Sequence, residues 1–131
     1  MKSGETVRLL YGHTSWIIIV LSNGNLVSAG SEGMIRIWDI SINQTIKELT
    51  DDQSIDTLSE FPNGNLESGG VKEFISIWDL SSEKRTRVLN FTNDFPLLFK
   101  TACTYSLAVL PDRRLASGHR NGHIKIWNLF G

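Results

Sequence analysis

The chain has very little of what usually fixes a fold or a destination from outside. In 131 residues there is one cysteine, Cys103, so no internal disulfide can form, and a reducing setting is expected: the cytoplasm, with the nucleus left open. There are three prolines, and the longest apolar run, Trp16 to Leu21, is far too short to cross a bilayer. Met1 to Glu5 lack the apolar core of a signal peptide, so no membrane or secretory role is expected. Neither sign of charge dominates. Thirteen Lys and Arg against fourteen Asp and Glu leave a net charge of -1, which gives no case for nucleic acid or for an acidic lipid surface. Asn43-Gln44-Thr45 and Asn90-Phe91-Thr92 match the glycosylation sequon, but such matches arise by chance. With 40% hydrophobic and 21% charged residues, the composition is that of an ordinary globular domain rather than a disordered chain.

What the sequence does have is repetition. Ile35-Arg36-Ile37-Trp38-Asp39 returns as Ile75-Ser76-Ile77-Trp78-Asp79 and as Ile124-Lys125-Ile126-Trp127-Asn128. Each copy alternates large apolar and polar residues, the period of a strand with one buried face. The tryptophans recur at spacings of 40 and 49 residues, which signals a repeat architecture.

The register extends well beyond these pieces. Thr14–Ile40 lies over Ser54–Leu80 without a gap: Asn23-Gly24-Asn25-Leu26 falls on Asn63-Gly64-Asn65-Leu66, Ser28 on Ser68 and Gly30 on Gly70. The third copy fits at a shift of 89, with Ser117 over Ser28 and Trp127 over Trp38, and a loop insertion at about residues 91–101 absorbs the extra length. The copies span about residues 6–40, 45–80 and 85–129 of one domain, 1–131. Asn-Gly pairs at Asn23-Gly24, Asn63-Gly64 and Asn121-Gly122 predict type I′ hairpin turns. Pro62 and Pro111 precede such turns, where a missing N–H does no harm to the ladder. The runs between turns predict strands at Trp16–Leu21, Leu26–Ala29, Met34–Trp38 and Ile46–Leu49, the equivalents in the later copies, and no helix of useful length. Thr6–Leu10 reads as an outer strand like Thr45–Leu49 and Arg85–Leu89, so the chain begins with an outer strand and ends just before one is due.

These residues carry a resemblance. The shared turn, serine, glycine and Trp-Asp, with a Gly-His at Gly12-His13, resemble the WD-repeat family of β-propellers over roughly Thr6 to Leu129. The resemblance implies an all-β fold, here a WD-repeat propeller segment of three four-stranded antiparallel blades, either an incomplete ring or one completed by oligomerisation or by further sequence. In the family the N-terminal strand completes the last blade, the role left for Thr6–Leu10. Blades of the family are braced by buried His, Ser, Asp and Trp. The matching residues are His13, Ser28, Glu32 and Trp38; then Gln53, Ser68, Lys72 and Trp78; then Ala102, Ser117, Asn121 and Trp127. Only the Ser–Trp pair is present in all three. Lys72 is expected to face water, since a buried half-made network is worse than none, and the second blade is expected to be the weakest.

No constellation argues for catalysis, and no cofactor or metal is expected. His119 and His123 lie four apart across a turn, without a third ligand in sequence, and read as solvated turn residues. Cys103 has no base beside it and reads as a packed thiol. Asp51 and Asp52 read as loop charges.

The resemblance places partner-binding positions at the entrance side of the propeller. They are Thr14, Trp16 and Ser31 in the first copy, Ser54, Asp56 and Val71 in the second, and Cys103, Tyr105 and Arg120 in the third. Trp16 and Tyr105 either meet a partner or pack between blades. The function this implies is a non-catalytic scaffold for a protein or peptide partner. The alternatives are a piece of a larger WD-repeat protein, or a ligand-binding or enzymatic propeller. Three blades leave two end faces uncovered while propellers close with about four to eight, so self-association, most simply as a homodimer, is expected.

Overall fold

A computed structural model describes residue 4 and residues 9–10, 15–91 and 103–129. Eleven strands follow one another in these segments. β1 (Ile17–Val20), β2 (Leu26–Ala29), β3 (Met34–Asp39) and β4 (Gln44–Thr50) form one antiparallel sheet in that order. β5 (Ile55–Glu60), β6 (Leu66–Gly70), β7 (Phe74–Asp79) and β8 (Lys84–Asn90) form the second. β9 (Thr104–Val109), β10 (Leu115–His119) and β11 (Ile124–Trp127) form the third. Its expected fourth strand, Thr6–Leu10, falls mostly outside the described residues. The described residues contain no helix, as the alternating apolar pattern requires.

The repeat register of the sequence is also the register of the sheets. Leu26 pairs with Trp38, Leu66 with Trp78 and Leu115 with Trp127; Ser28, Ser68 and Ser117 face Arg36, Ser76 and Lys125. β3–β4 and β7–β8 both slip register just before the tryptophan, at Ile37/Trp38 and Ile77/Trp78.

The turns differ from the expected type I′ form. Asn23 and Asn63 keep ordinary negative φ, and the residue after each, Gly24 (φ 90) or Gly64 (φ 89), is left-handed. Gly24 N donates to Leu21 O and Leu21 N to Asn25 O, with the Asn23 side chain accepting from Asn25 N. This is the three-residue hairpin in which a turn is followed by one left-handed residue. The same bonds recur at Phe61–Asn65, Leu110–Arg114 and His119–His123. At Leu110–Arg114 the left-handed place is held by Arg113 (φ 71) rather than glycine. Pro62 and Pro111 sit at the first central position, which needs no N–H and suits the fixed φ of proline.

Two apolar seams join the sheets face to face. Blade one contributes Val27, Ile35, Ile37 and Leu49, and blade two meets them with Leu58, Leu66 and Trp78. Blade two then contributes Phe61, Ile75, Ile77 and Leu89, and blade three meets them with Leu115, Leu107 and Trp127. Each blade thus presents an Ile-x-Ile face forward and receives its predecessor on its tryptophan face. The order is one, two, three, with no substantial packing of sheet one on sheet three among the described residues.

Candidate functional site

The tryptophans do what their repetition implied. Trp38 Nε1 donates to Ser28 Oγ at 2.8 Å, and Trp78 and Trp127 donate to Ser68 and Ser117 at 2.9 Å. Burial of the indole demands an acceptor, and a serine on the neighbouring strand supplies it. Asp39 and Asp79, after their tryptophans, turn outward; each accepts from the backbone N and hydroxyl of the serine two residues on, Ser41 or Ser81.

The rest of the bracing differs from the sequence expectation. Glu32 is exposed in its turn, and His13 lies outside the described residues. In blade two Asp51 is no loop charge: it is buried, accepts from Ser68 Oγ at 2.8 Å, and stands 3.6 Å from the Arg85 guanidinium. Burial pushes its carboxyl above the usual range, and the Ser68 hydroxyl partly offsets this. Gln53, in the histidine place, donates to Phe74 O and accepts from Lys72 N, while the Lys72 residue faces water as expected. The second blade therefore has an extended polar relay, and the ground for calling it the weakest is gone.

In blade three the imidazole comes from an unexpected position. His119, in register with Gly30 and Gly70, is buried rather than solvated, with Nε2 2.8 Å from Ser117 Oγ and Nδ1 3.5 Å from Thr104 Oγ1. Ser117 Oγ thus lies between the Trp127 indole N–H, from which it accepts, and the imidazole. Phe91 packs edge-on against the ring at 4.6 Å. His123 remains exposed. The sequence signal lay in the third copy itself, where Ala102 vacates the histidine place and an imidazole stands two residues after the serine.

Glu67 gave no signal at all. It occupies the place of Val27, fully buried on the forward face of blade two, and neither carboxyl oxygen makes a well-formed hydrogen bond among the described residues. Burial pushes its carboxyl up to about 8, with its register partner Ser59 offsetting this slightly.

The entrance-side positions come together at one end of the sheets. Val71 N donates to Ser54 O, Arg120 N to Cys103 O and Ile55 N to Gly30 O, beside Ser31. The Cys103 thiol lies 3.5 Å from Val71 O, joining blades two and three. Trp16 both bridges and stays open: its Nε1 donates to Ile55 O at 2.6 Å, while 57% of the residue is exposed. Val71, Tyr105, Arg120 and Ser31 are also exposed, whereas Ser54, Asp56 and Cys103 are half-buried. Desolvation raises the Asp56 carboxyl. Thr14 lies outside the described residues.

The WD domain, G-beta repeat family model matches residues 4–39 and 99–128, half of the chain. The chain belongs to the WD-repeat family. The matched stretches include WD repeats one and three; the unmatched middle repeat has Gln53 and Lys72 where the family has His and Asp. Among solved structures, the WD-repeat chain resembles the β-propeller domain of Myceliophteria thermophila Cps50 (Swd1), with 20% identity and a TM-score of 0.81 over 97% of this chain and 39% of that one. The WD40 β-propeller domain of Doa1 is similar at 15% identity and a TM-score of 0.76, over 91% of this chain and 38% of that one. No match was found among curated protein sequences. The chain thus spans well under half the length of these solved WD-repeat structures.

Proposed function

We propose that the chain is a non-catalytic interaction module that holds a protein or peptide partner at the entrance side of its blades. The observation that carries this reading is the exposure of three large side chains, Trp16, Val71 and Tyr105, at one end of three successive blades, with exposed Arg120 at the same end. Aromatic residues and arginine dominate interface energetics, and the bonds that join these blades, Ile55 N and Trp16 Nε1 between one and two and the Cys103 thiol between two and three, fix the platform before a partner arrives. Among the described residues no three His, Cys, Asp or Glu side chains cluster as a metal would require, and no observation favours a reaction over binding.

The test is proximity labelling with the whole chain, followed by calorimetry with each partner found. Replacing Trp16, Tyr105 and Arg120 by alanine should weaken binding at least tenfold, since hot-spot truncations cost about 2 kcal/mol or more. A partner whose affinity is unchanged by the triple substitution binds elsewhere and removes the proposal.

A further inference from the structure

Arg113 stands where the same turn elsewhere has glycine, and it lines a cleft. Among the turns of this hydrogen-bond pattern, Gly24 (φ 90), Gly64 (φ 89) and Gly122 (φ 87) hold the left-handed place, but Arg113 (φ 71) holds it in blade three. An L side chain costs free energy there, and strain of this kind points to a use for the side chain. Arg113 is exposed, and its guanidinium has no hydrogen-bond or ion-pair partner among the described residues. Its neighbour Arg114 is instead tied to Asp112 at 2.6 Å.

The cleft lies between blades two and three, at the end of the strands opposite Trp16 and Tyr105. One hollow of about 160 Å³ is lined by Phe61, Pro62 and Asn63 of blade two and by Arg113 of blade three. A second of about 160 Å³ shares Phe61 and Asn63 with it and adds Ile77 and Arg87. Arg87 is exposed and gives one donor to Leu129 O at 2.9 Å, which leaves the other donors of its fork for a ligand. None of the described residues lining either hollow is acidic. The carboxylates beside them in sequence are engaged elsewhere, Glu60 with Ser22 and Asp112 with Arg114. Phe61 also packs in the second seam, so the contact of blades two and three shapes the cleft in advance.

We propose that this cleft is a second docking site, which takes a segment of a partner protein with a carboxylate side chain next to a large apolar one. The carboxylate sits between Arg87 and Arg113, whose planar forks match it, and the apolar neighbour covers Phe61. Charge complementarity selects this occupant. A wholly apolar segment would bury two cations without a counter-charge, and that burial is costly. The site is remote from the entrance-side residues, so the two proposals stand or fall independently.

The probe is a phage-displayed library of random peptides selected on the whole chain, with the enriched sequences then synthesised and titrated by fluorescence anisotropy. The expected result is a set with Asp or Glu beside Leu, Ile, Phe or Trp. Affinity for it should fall about tenfold or more in Arg113→Gly and several-fold in Arg87→Gln. It should be unchanged when Trp16, Tyr105 and Arg120 are replaced by alanine. Arg113→Lys keeps the charge without the fork and should restore only part of the binding. Arg113→Gly relieves the left-handed residue, so its thermal midpoint, read alongside, should not fall, and lost binding is not lost folding. The absence of any acidic set, or an affinity that Arg113→Gly leaves unchanged, overturns the proposal. So does a parallel library with a central phosphoserine that binds at Arg113 where no acidic peptide does, since the occupant would then be a phosphorylated segment.

Discussion

Ser68 donates its hydroxyl proton to Asp51 Oδ2 across 2.8 Å, tying the second strand of blade two to the chain that enters that blade. Ser68 Oγ also accepts the Trp78 indole N–H, so one serine holds both ends of a buried relay that Arg85 closes at 3.6 Å from Asp51. Ser68→Ala would leave the buried Trp78 indole N–H without its acceptor and take one hydrogen bond from the buried Asp51 carboxyl, which keeps Asp52 N and Arg85. The expected loss is about 2–3 kcal/mol in urea unfolding, since each unsatisfied buried group costs roughly 1–3. A double-mutant cycle with Asp51→Ala should give a coupling of about 1 kcal/mol or more. Strict additivity of the two losses would mean that the bond contributes nothing.

Glu67 makes stability depend on pH in a stated direction. Its carboxyl titrates at about 8 in the folded chain against 4.5 ordinarily, so between these values the folded state holds a proton that the unfolded state has released. The stability it contributes is complete below about 4.5 and is lost as pH rises toward 8. At about 1.36 kcal/mol per pH unit, the wild type should lose on the order of 4 kcal/mol relative to Glu67→Gln between pH 5 and 8. Parallel denaturation midpoints for the two chains across that range would sink the assignment.

The same position tests packing. Glu67→Val places in blade two the residue that blade one has at Val27, where it is fully buried in the first seam. Removing an unpaired buried carboxyl should raise the thermal midpoint by several degrees at pH 7, about 4–8 °C per kcal/mol for small domains. A lower midpoint would show that Glu67 has a partner that its geometry conceals.

Trp38 and Trp16 should separate folding from binding. Trp38 is buried and bonded to Ser28, and its truncation to alanine should cost about 3–5 kcal/mol. Trp16 is mostly exposed, with a single bond to Ile55 O, so Trp16→Ala should cost only about 1 kcal/mol. Equal losses for the two would place Trp16 in the core and empty the entrance-side reading of its anchor.

Arg113 sits left-handed where the equivalent turns have Gly24 and Gly64. Arg113→Gly should therefore stabilise the chain by about 1 kcal/mol, because an L side chain costs roughly 1–2 in that conformation. Gly24→Ala should do the reverse. No difference in midpoint for either variant would show that these turns relax freely.

The sequence by itself determined the strands, their order and the register of each repeat on the next, because alternation of apolar residues with period 2 is a local property and it was written three times; the pairing across the Asn-Gly turns is one residue off what type I′ turns would give. It also determined the Ser–Trp pairs, since residues held in one register on adjacent strands must meet wherever that register is kept. The tertiary structure alone decided the partners reached from outside the repeat. Asp51 has no counterpart in register that would mark it, and it becomes a bracing group only because the chain entering blade two lays it beside Ser68. His119 replaces a missing imidazole from a different strand, which matching position to position cannot find. Glu67 sits in an ordinary alternating strand, and the approach of blade three is what strips its water away. Ile35, Ile75 and Ile124 are the same residue in the same local sequence. Two are buried and one is exposed because burial belongs to the neighbouring sheet, which no repeat unit contains.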